Sequence, residues 1–481
     1  MYNRAFYDYR INSAISEIVS LRLMINESIF PKNFLSSLSG EPGFDAENFI
    51  DTQKSIESPT SIRLNPFKKA SVQTDQQVPW CAEGYYLDKR PSFTFDPLFH
   101  AGCYYVQEAS SMFIGHLLKQ IRPDNNEPIK ILDLCAAPGG KSTLINSALN
   151  SNDLLVSNEI IKTRVPVLCD NLNRWGTANI IVTNNDPRDF SKLTGFFDII
   201  LVDAPCSGSG MFRKDPAAIN EWSDANVNLC HQRQERILAD VYPALKENGH
   251  LIYSTCSYSH QENEDIVDWL CKEFTMGTQR ILIEPSCGIV ETQSDQQKAW
   301  GYRFYPDKVK GEGLFAACLK KTEDTLQLPF FKSKGNQKLP AKEIDLVKAY
   351  IKEPDDFYFF KVNDDWIAIN QQHKDSLDML QRHLYLKKSG VRIGRLMGND
   401  LLPDHELALS NDINKEAFLE TDLDYDQAIL YLRRENLAIE TFNKGWSLMT
   451  FEDHALGWAK LLPNRVNNYY PKELRILAAR C

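Results

Sequence analysis

Ile131–Ser142 reads ILDLCAAPGGKS: a short apolar run, a glycine-containing turn, then residues that start a helix. The same rhythm continues downstream. DLLVSNE reads as a second strand, the segment IIKTRVPVLCDNLNRW as a helix, ANIIVTN as a third strand and FFDIILVDAP as a fourth. A long helical pattern covers Ser223 to Leu245, and GHLIYSTCS reads as a fifth strand. Ser259 and Glu262 fit a capping box that opens the helix ENEDIVDWLCKEF. ILIEP and GLFAACLKK are expected to add two late strands. Short apolar runs alternating with helical segments predict βαβ units and a parallel sheet, an α/β fold.

In such sheets ligands bind at the strand ends. Here those ends are polar or glycine-rich. Gly139 and Gly140 let the backbone approach a ligand without a side chain in the way. Glu159 ends the second strand, 19 residues after Gly140, where an acid accepts hydrogen bonds from ribose hydroxyls. Asp186 follows the third strand, where an adenine edge is within reach, and Asp203 ends the fourth. Two ligands compete. Gly140-Lys141-Ser142 matches the end of a nucleoside-triphosphate loop, but Cys135 stands where that pattern wants its first glycine. Pro138 also removes a backbone donor that phosphate would need. S-adenosylmethionine carries ribose and adenine without phosphate, and it fits better.

Eleven cysteines are scattered through the chain, none as C-x-x-C, and no metal site is called for. Most read as small buried hydrophobes. Cys206, in Asp203-Ala-Pro-Cys, and Cys256, in Ser-Thr-Cys-Ser, differ because they lie in polar loops after the fourth and fifth strands. If those strands are neighbours, both thiols face one pocket. That suits methylation of a pyrimidine carbon: carbon-5 of cytosine becomes nucleophilic only after a thiolate adds to carbon-6. A second thiol assists release, and Asp203 orients the base and stabilises its protonated form. The residues alone leave open which thiol attacks.

LDLCAAPGGKS, SNEI, DAPCSGSGMFRKDP and YSTCSYSHQENE resemble the motifs of the Nol/Nop/Sun family of RNA 5-methylcytosine methyltransferases, over Arg63 to Lys320. The resemblance implies a Rossmann-like sheet, S-adenosylmethionine as donor, Cys256 as nucleophile and Cys206 in product release. It also implies that Cys135, Ala136, Ala137, Pro138, Gly139, Gly140, Lys141, Glu159, Arg164, Asp186 and Asp203 line the cofactor site. The tail HALGWAKLLPNRVNNYYPKELRI (454–476) is similar to the PUA-like module of the RsmF-type branch, which methylates small-subunit ribosomal RNA. That implies 16S ribosomal RNA, or the small subunit, as partner, with transfer RNA as the alternative substrate. A P-loop-like ATPase and a non-catalytic ribosome-assembly protein are the alternatives of another class.

Four regions are expected: an α/β RNA-binding lead segment (1–122), a methyltransferase domain (123–321), a polar linker (322–340) and a C-terminal RNA-binding region (341–481). Apolar spacing predicts a helix over Ile11–Ile25. The net charge of −10 argues against a uniformly basic surface. From Ala455 onward, however, Lys460, Arg465, Lys472, Arg475 and Arg480 face one acid, Glu473, with Trp458, Tyr469 and Tyr470 interleaved. That pattern suits phosphate neutralisation and base stacking. Arg213 and Lys214 are expected to meet a phosphate near the target base, itself single-stranded or flipped out. The absence of an apolar run of membrane length, the lack of a secretory h-region and the unpaired cysteines predict a cytoplasmic protein, and it is expected to be a monomer.

Overall fold

The computed structural model describes residues 30–54, 58–70, 74–122, 127–323, 339–439 and 444–478. The expected helix Ile11–Ile25 and most of the expected linker lie outside them. The chain forms two compact units, each from three segments: Met1–Pro59, Ala204–Arg236 and Tyr253–Leu319 in the first; Thr60–Asp203, Ile237–Ile252 and Lys320–Cys481 in the second. Among the described residues no helix is long and apolar enough to cross a membrane.

The second unit holds the parallel strands β1 (Lys130–Asp133), β2 (Leu154–Asn158), β3 (Ile180–Thr183) and β4 (Phe197–Asp203), in the order β4-β1-β2-β3. Every residue of β2 and β3 is buried, as expected for strands covered on both faces. The crossovers carry helices α1 (Gly140–Ser147) and α2 (Val165–Trp175). The strand β5 (Leu245–Thr255) runs beside β4. On the far edge a C-terminal strand, β6 (Leu386–Ser389), pairs antiparallel with β3, so that a fully buried strand is not left unpaired. Sequence periodicity gave no sign of that pairing, which joins residues about two hundred positions apart.

A four-stranded sheet of residues 60–106 belongs to the same unit. Its Ile62 and Tyr104 share a core with Leu432, Met449 and Leu456 from the C-terminal region, which contributes two further four-stranded sheets. In the first unit Val290–Gln293, Trp300–Phe304 and Leu314–Lys321 form an antiparallel set. The helix α3 (Glu264–Glu273) precedes them. Phe34, Phe49, Phe212, Trp222, Tyr258 and Tyr305 pack as an aromatic core.

Two local expectations fail. ILIEP is not a strand; the chain there runs irregularly between short strands at Met276–Thr278 and Val290–Gln293. No capping box opens α3 either: its N-cap is Asn263, with no side-chain cap, because the Glu262 carboxylate turns inward to other partners.

Candidate functional site

The loop between β1 and α1 is built from contacts within the second unit. Gly139 sits at φ +112°, a conformation that favours glycine, and starts α1. A Cβ there would lie 3.2 Å from Leu168 Cδ1 on α2, and one at Gly140 would lie 3.3 Å from Tyr105 Cε1. The glycines therefore serve turn geometry and packing as well as the open approach expected of them. The Arg164 guanidinium donates to the Ala137 carbonyl at 2.5 Å and pairs with Glu159 at 3.3 Å, bracing the loop against the end of β2. Asn171 Nδ2 donates to the Pro138 carbonyl at 2.7 Å. Asp186 accepts from the Arg188 amide at 3.1 Å and so caps a helical turn after β3.

The charges around this loop decide which ligand it suits. Lys141 Nζ is ion-paired with Asp203 at 2.7 Å, and Ser142 Oγ donates to Asp133 at 2.6 Å in a fully buried pocket. Both groups that a triphosphate loop would aim at phosphate and its metal are thus committed to carboxylates. Burial lifts the Asp133 carboxyl to about 7, with Asp203 and Glu159 adding to the rise. Its Oδ1 is buried with no hydrogen-bond partner among the described residues. Burial raises the Cys135 thiol, and Asp133, Asp203 and Glu159 push it further. Asp203 and Glu159, with a partial charge on Asp133, offset Lys141 and Arg164, so no surplus positive charge is left to hold a polyanion. The donor set fits S-adenosylmethionine better than a nucleoside triphosphate; Glu159 itself is buried, with Oε1 accepting from Ile161 N at 2.8 Å and Oε2 paired with Arg164.

Cys206 and Cys256 meet within the first unit, their sulfurs 3.2 Å apart. Two backbone bonds draw their loops together: Ala204 N donates to the Ser254 carbonyl at 2.8 Å, and Gly210 N to the Cys256 carbonyl at 2.7 Å. A Cβ at Gly210 would stand 2.6 Å from that carbonyl, so the approach requires the glycine of SGSG. The Cys206 thiol is raised well above its ordinary value by the hydrogen bond to Cys256 and then by burial.

Residues 118–320 match the family described as 16S rRNA methyltransferase RsmB/F, residues 30–109 the N-terminal domain of RsmF, and residues 418–476 the RsmF PUA domain. The ribosomal RNA small subunit methyltransferase F of Psychromonas ingrahamii is 30% identical, over 94% of this chain and 98% of that protein. The protein of that name from Aliivibrio fischeri is 30% identical over 86% of this chain and 90% of its own. The chain belongs to the RsmB/F family of 16S rRNA methyltransferases. A crystal structure of a methyltransferase homologue from Pyrococcus horikoshii, 28% identical, superposes with a TM-score of 0.50 over 60% of this chain and 93% of that one. As a family member the chain is an S-adenosylmethionine-dependent RNA cytosine-C5 methyltransferase with an N-terminal domain and a C-terminal PUA domain.

Two buried charges escaped the sequence reading. Arg63, on the strand Thr60–Leu64, is fully buried and donates to Gln107 Oε1 (2.8 Å), Ser147 Oγ (2.9 Å) and Thr143 Oγ1 (2.6 Å), and it lies 4.5 Å over the Trp175 ring. It fastens α1 from behind. Glu262, fully buried, accepts from Ser207 N (2.8 Å), Ser207 Oγ (2.5 Å) and Ser257 Oγ (2.6 Å). An arginine in an alternating strand and a glutamate before a helix look like solvated charges in sequence.

One expected RNA contact is overturned. The Arg213 side chain is only 6% exposed; its guanidinium pairs with Glu312 at 3.1 Å and donates to the Gly311 carbonyl at 2.8 Å. It is structural, not a phosphate ligand, because Glu312 and Gly311 take up its donors. Lys214 next to it is exposed. In the tail Arg465, Lys472 and Arg475 are exposed and Lys460 is half-buried over the Trp446 ring. The tail aromatics divide: Trp458 and Tyr470 are core, whereas Tyr469 is 44% exposed and packs edge-on against Trp446.

Proposed function

We propose that this methyltransferase modifies carbon-5 of a cytosine in 16S ribosomal RNA, with Cys256 as the nucleophile and Cys206 as the thiol that assists release. The observation that carries the reading is the pair of sulfurs 3.2 Å apart, on loops directly after β4 and β5. The loop Cys135–Lys141, with Glu159, Arg164, Asp186 and Asp203, holds S-adenosylmethionine. That cofactor, when bound, supplies an electrophilic methyl on a sulfonium.

In this reading a flipped-out or single-stranded cytosine enters with Asp203 at its polar edge. The Cys256 thiolate forms a bond to carbon-6, and the ring electrons shift to make carbon-5 nucleophilic. After methyl transfer a water molecule takes the carbon-5 proton, the C–H electron pair re-forms the ring double bond, and the carbon–sulfur bond breaks to return the Cys256 thiolate, which the Cys206 thiol can reprotonate before regaining a proton from that water. Cys206, held as a thiol by its neighbour's hydrogen bond and by burial, suits proton handling at that release and not attack. The exposed cations Lys214, Arg465, Lys472 and Arg475, with Lys460, track the RNA backbone. The lead segment through residue 122, the methyltransferase domain 123–321 and the region 341–481 act as its working parts. One chain carries every named group, which supports action as a monomer; ten described cysteines, all unpaired, support a cytoplasmic setting.

Bisulfite sequencing of ribosomal and transfer RNA, with and without the protein, is expected to reveal a cytosine in 16S RNA methylated only in its presence. Cys256→Ala abolishes that mark, and Cys206→Ala accumulates a covalent protein–RNA adduct. A mark confined to transfer RNA refutes the substrate, and methylation by Cys256→Ala at the normal rate refutes the mechanism.

A further inference from the structure

Glu262 presents an unusual bonding pattern beside the thiol pair. Ser207 directly follows Cys206, and Ser257 directly follows Cys256. Both hydroxyls donate to one atom, Glu262 Oε2, at 2.5 and 2.6 Å. The other oxygen, Oε1, accepts the Ser207 backbone amide at 2.8 Å, and Gln234 Nε2 approaches it at 3.4 Å. Gln234 Nε2 also donates to the Pro205 carbonyl at 3.0 Å, inside the same Pro-Cys turn. The main chain at this point is anchored too, since the Tyr253 hydroxyl donates to the Glu262 carbonyl at 2.6 Å.

Nothing in this arrangement is needed to start α3, whose N-cap is the next residue. Among the described residues no ion pair reaches Glu262, although it is fully buried. A buried carboxylate without a cation is costly unless hydrogen bonds satisfy it. Here all the close hydrogen bonds come from the two cysteine loops. We propose that Glu262 is a positioning residue for methyl transfer: its carboxylate ties the Pro-Cys loop and the Thr-Cys-Ser loop to a common anchor and so sets the spacing of the two sulfurs.

This rests on the reading that Cys256 and Cys206 carry the reaction. The buried negative charge also adds to the rise of the Cys206 thiol, after the Cys256 hydrogen bond and burial, which keeps that sulfur protonated beside the nucleophile. The carboxylate itself is two side chains away from any reacting atom and acts through the serines.

The test uses the full chain with Glu262→Ala and Glu262→Gln, reading kcat and KM for RNA and methyl donor, with donor affinity by calorimetry. Truncation to Ala is expected to lower kcat by about a hundredfold while both KM values move less than about threefold. Gln keeps one oxygen for the two hydroxyls but turns an amide N–H toward the Ser207 N–H, so it recovers part of the rate, to about tenfold below the unaltered enzyme. If the Ala variant does not fold, Gln and Ser257→Ala carry the test, each with kcat lowered at constant KM. Unaltered kcat in the variants that fold overturns the proposal, as does a rate loss matched by an equal loss of donor or RNA affinity. Cys256→Ala run in parallel separates the two ideas: if that variant is inactive and the Glu262 variants are fully active, only the anchoring role falls.

Discussion

Replacing Arg63 by Met tests whether the cofactor loop depends on a buried guanidinium behind it. The side chain is fully buried with no carboxylate among its hydrogen-bond partners, and burial lowers its pKa to about 10. Met fills most of the volume and removes the desolvation penalty. Three close hydrogen bonds from a charged donor are lost. Thr143 Oγ1 still donates to the Gly139 carbonyl at 2.9 Å, and Ser147 Oγ to the Thr143 carbonyl at 2.9 Å, so neither hydroxyl is stranded. Gln107 Oε1 has no such substitute, and one orphaned buried acceptor costs about 1–3 kcal/mol. The other two lost bonds add about 1 kcal/mol each at most, offset by the guanidinium no longer being buried, for a net loss of about 1–4 kcal/mol. Thermal unfolding followed by circular dichroism reads this as a drop in Tm of about 2–6 °C. Because Thr143 and Ser147 lie on α1, calorimetric binding of S-adenosylmethionine is expected to weaken by more than an equally destabilising substitution elsewhere. A variant with unchanged Tm and unchanged donor affinity refutes the reasoning.

Arg213→Ala is expected to lower stability by about 1–3 kcal/mol, because the buried Glu312 carboxylate loses its guanidinium partner, while the salt dependence of RNA binding stays as it was. Charge reversal of Arg465, Lys472 and Arg475 together is expected to leave the fold intact and to lower the slope of log affinity against log salt by about 2, measured on a single-stranded RNA. His260 is raised from 6.5 to about 9, chiefly by the hydrogen bond to Glu41, with burial opposing and Glu264, Glu41 and Asp265 assisting; Asp295 and Arg303 also face this cluster. A folded-state value above the unfolded one stabilises fully below pH 6.5 and is lost as pH rises through 9. Stability is therefore expected to fall by about 1–2 kcal/mol across that window, after allowance for solvent screening, and His260→Gln to flatten the fall in urea titrations.

The parallel strands were legible because each carries its own signal: an unbroken apolar run, a polar tip, then helical spacing. The same is true of the chemistry that sits on strand ends, from Gly139 to Cys256. What periodicity cannot carry is pairing between distant segments. Leu386–Ser389 is four residues with two lysines, and only the unpaired edge at β3 explains why it becomes a strand of that sheet. Buried charges escaped for a related reason. Arg63, Arg213 and Glu262 look like surface residues until their partners are known, and those partners lie 44, 99 and 55 positions away. The misread capping box is instructive. Ser259 and Glu262 have the right spacing, but the carboxylate finds stronger donors in two loops than in the first turn of α3.

Two sulfurs 3.2 Å apart invite the question of why they should take different parts. The surroundings are not symmetrical. The Pro-Cys side carries the Ser207 amide and hydroxyl, both bonded to Glu262, so the buried negative charge is fastened mainly to the Cys206 loop. Its field opposes ionisation there, on top of burial and the hydrogen bond to Cys256. On the Cys256 side one bond, from the Ser257 hydroxyl at 2.6 Å, reaches the same carboxylate, while Gly210 N fixes the Cys256 carbonyl. Once one of a close pair ionises, repulsion keeps the other protonated. The extra amide bond to Glu262 on the Cys206 side adds to burial and the hydrogen bond in keeping that sulfur protonated. On this account the order of the two cysteines is written less in the loops that carry them than in a glutamate shared between them, and Ser207→Ala, which removes one of the two Ser207 bonds to Glu262, is expected to speed alkylation of Cys206 relative to the unaltered protein before it lowers Tm.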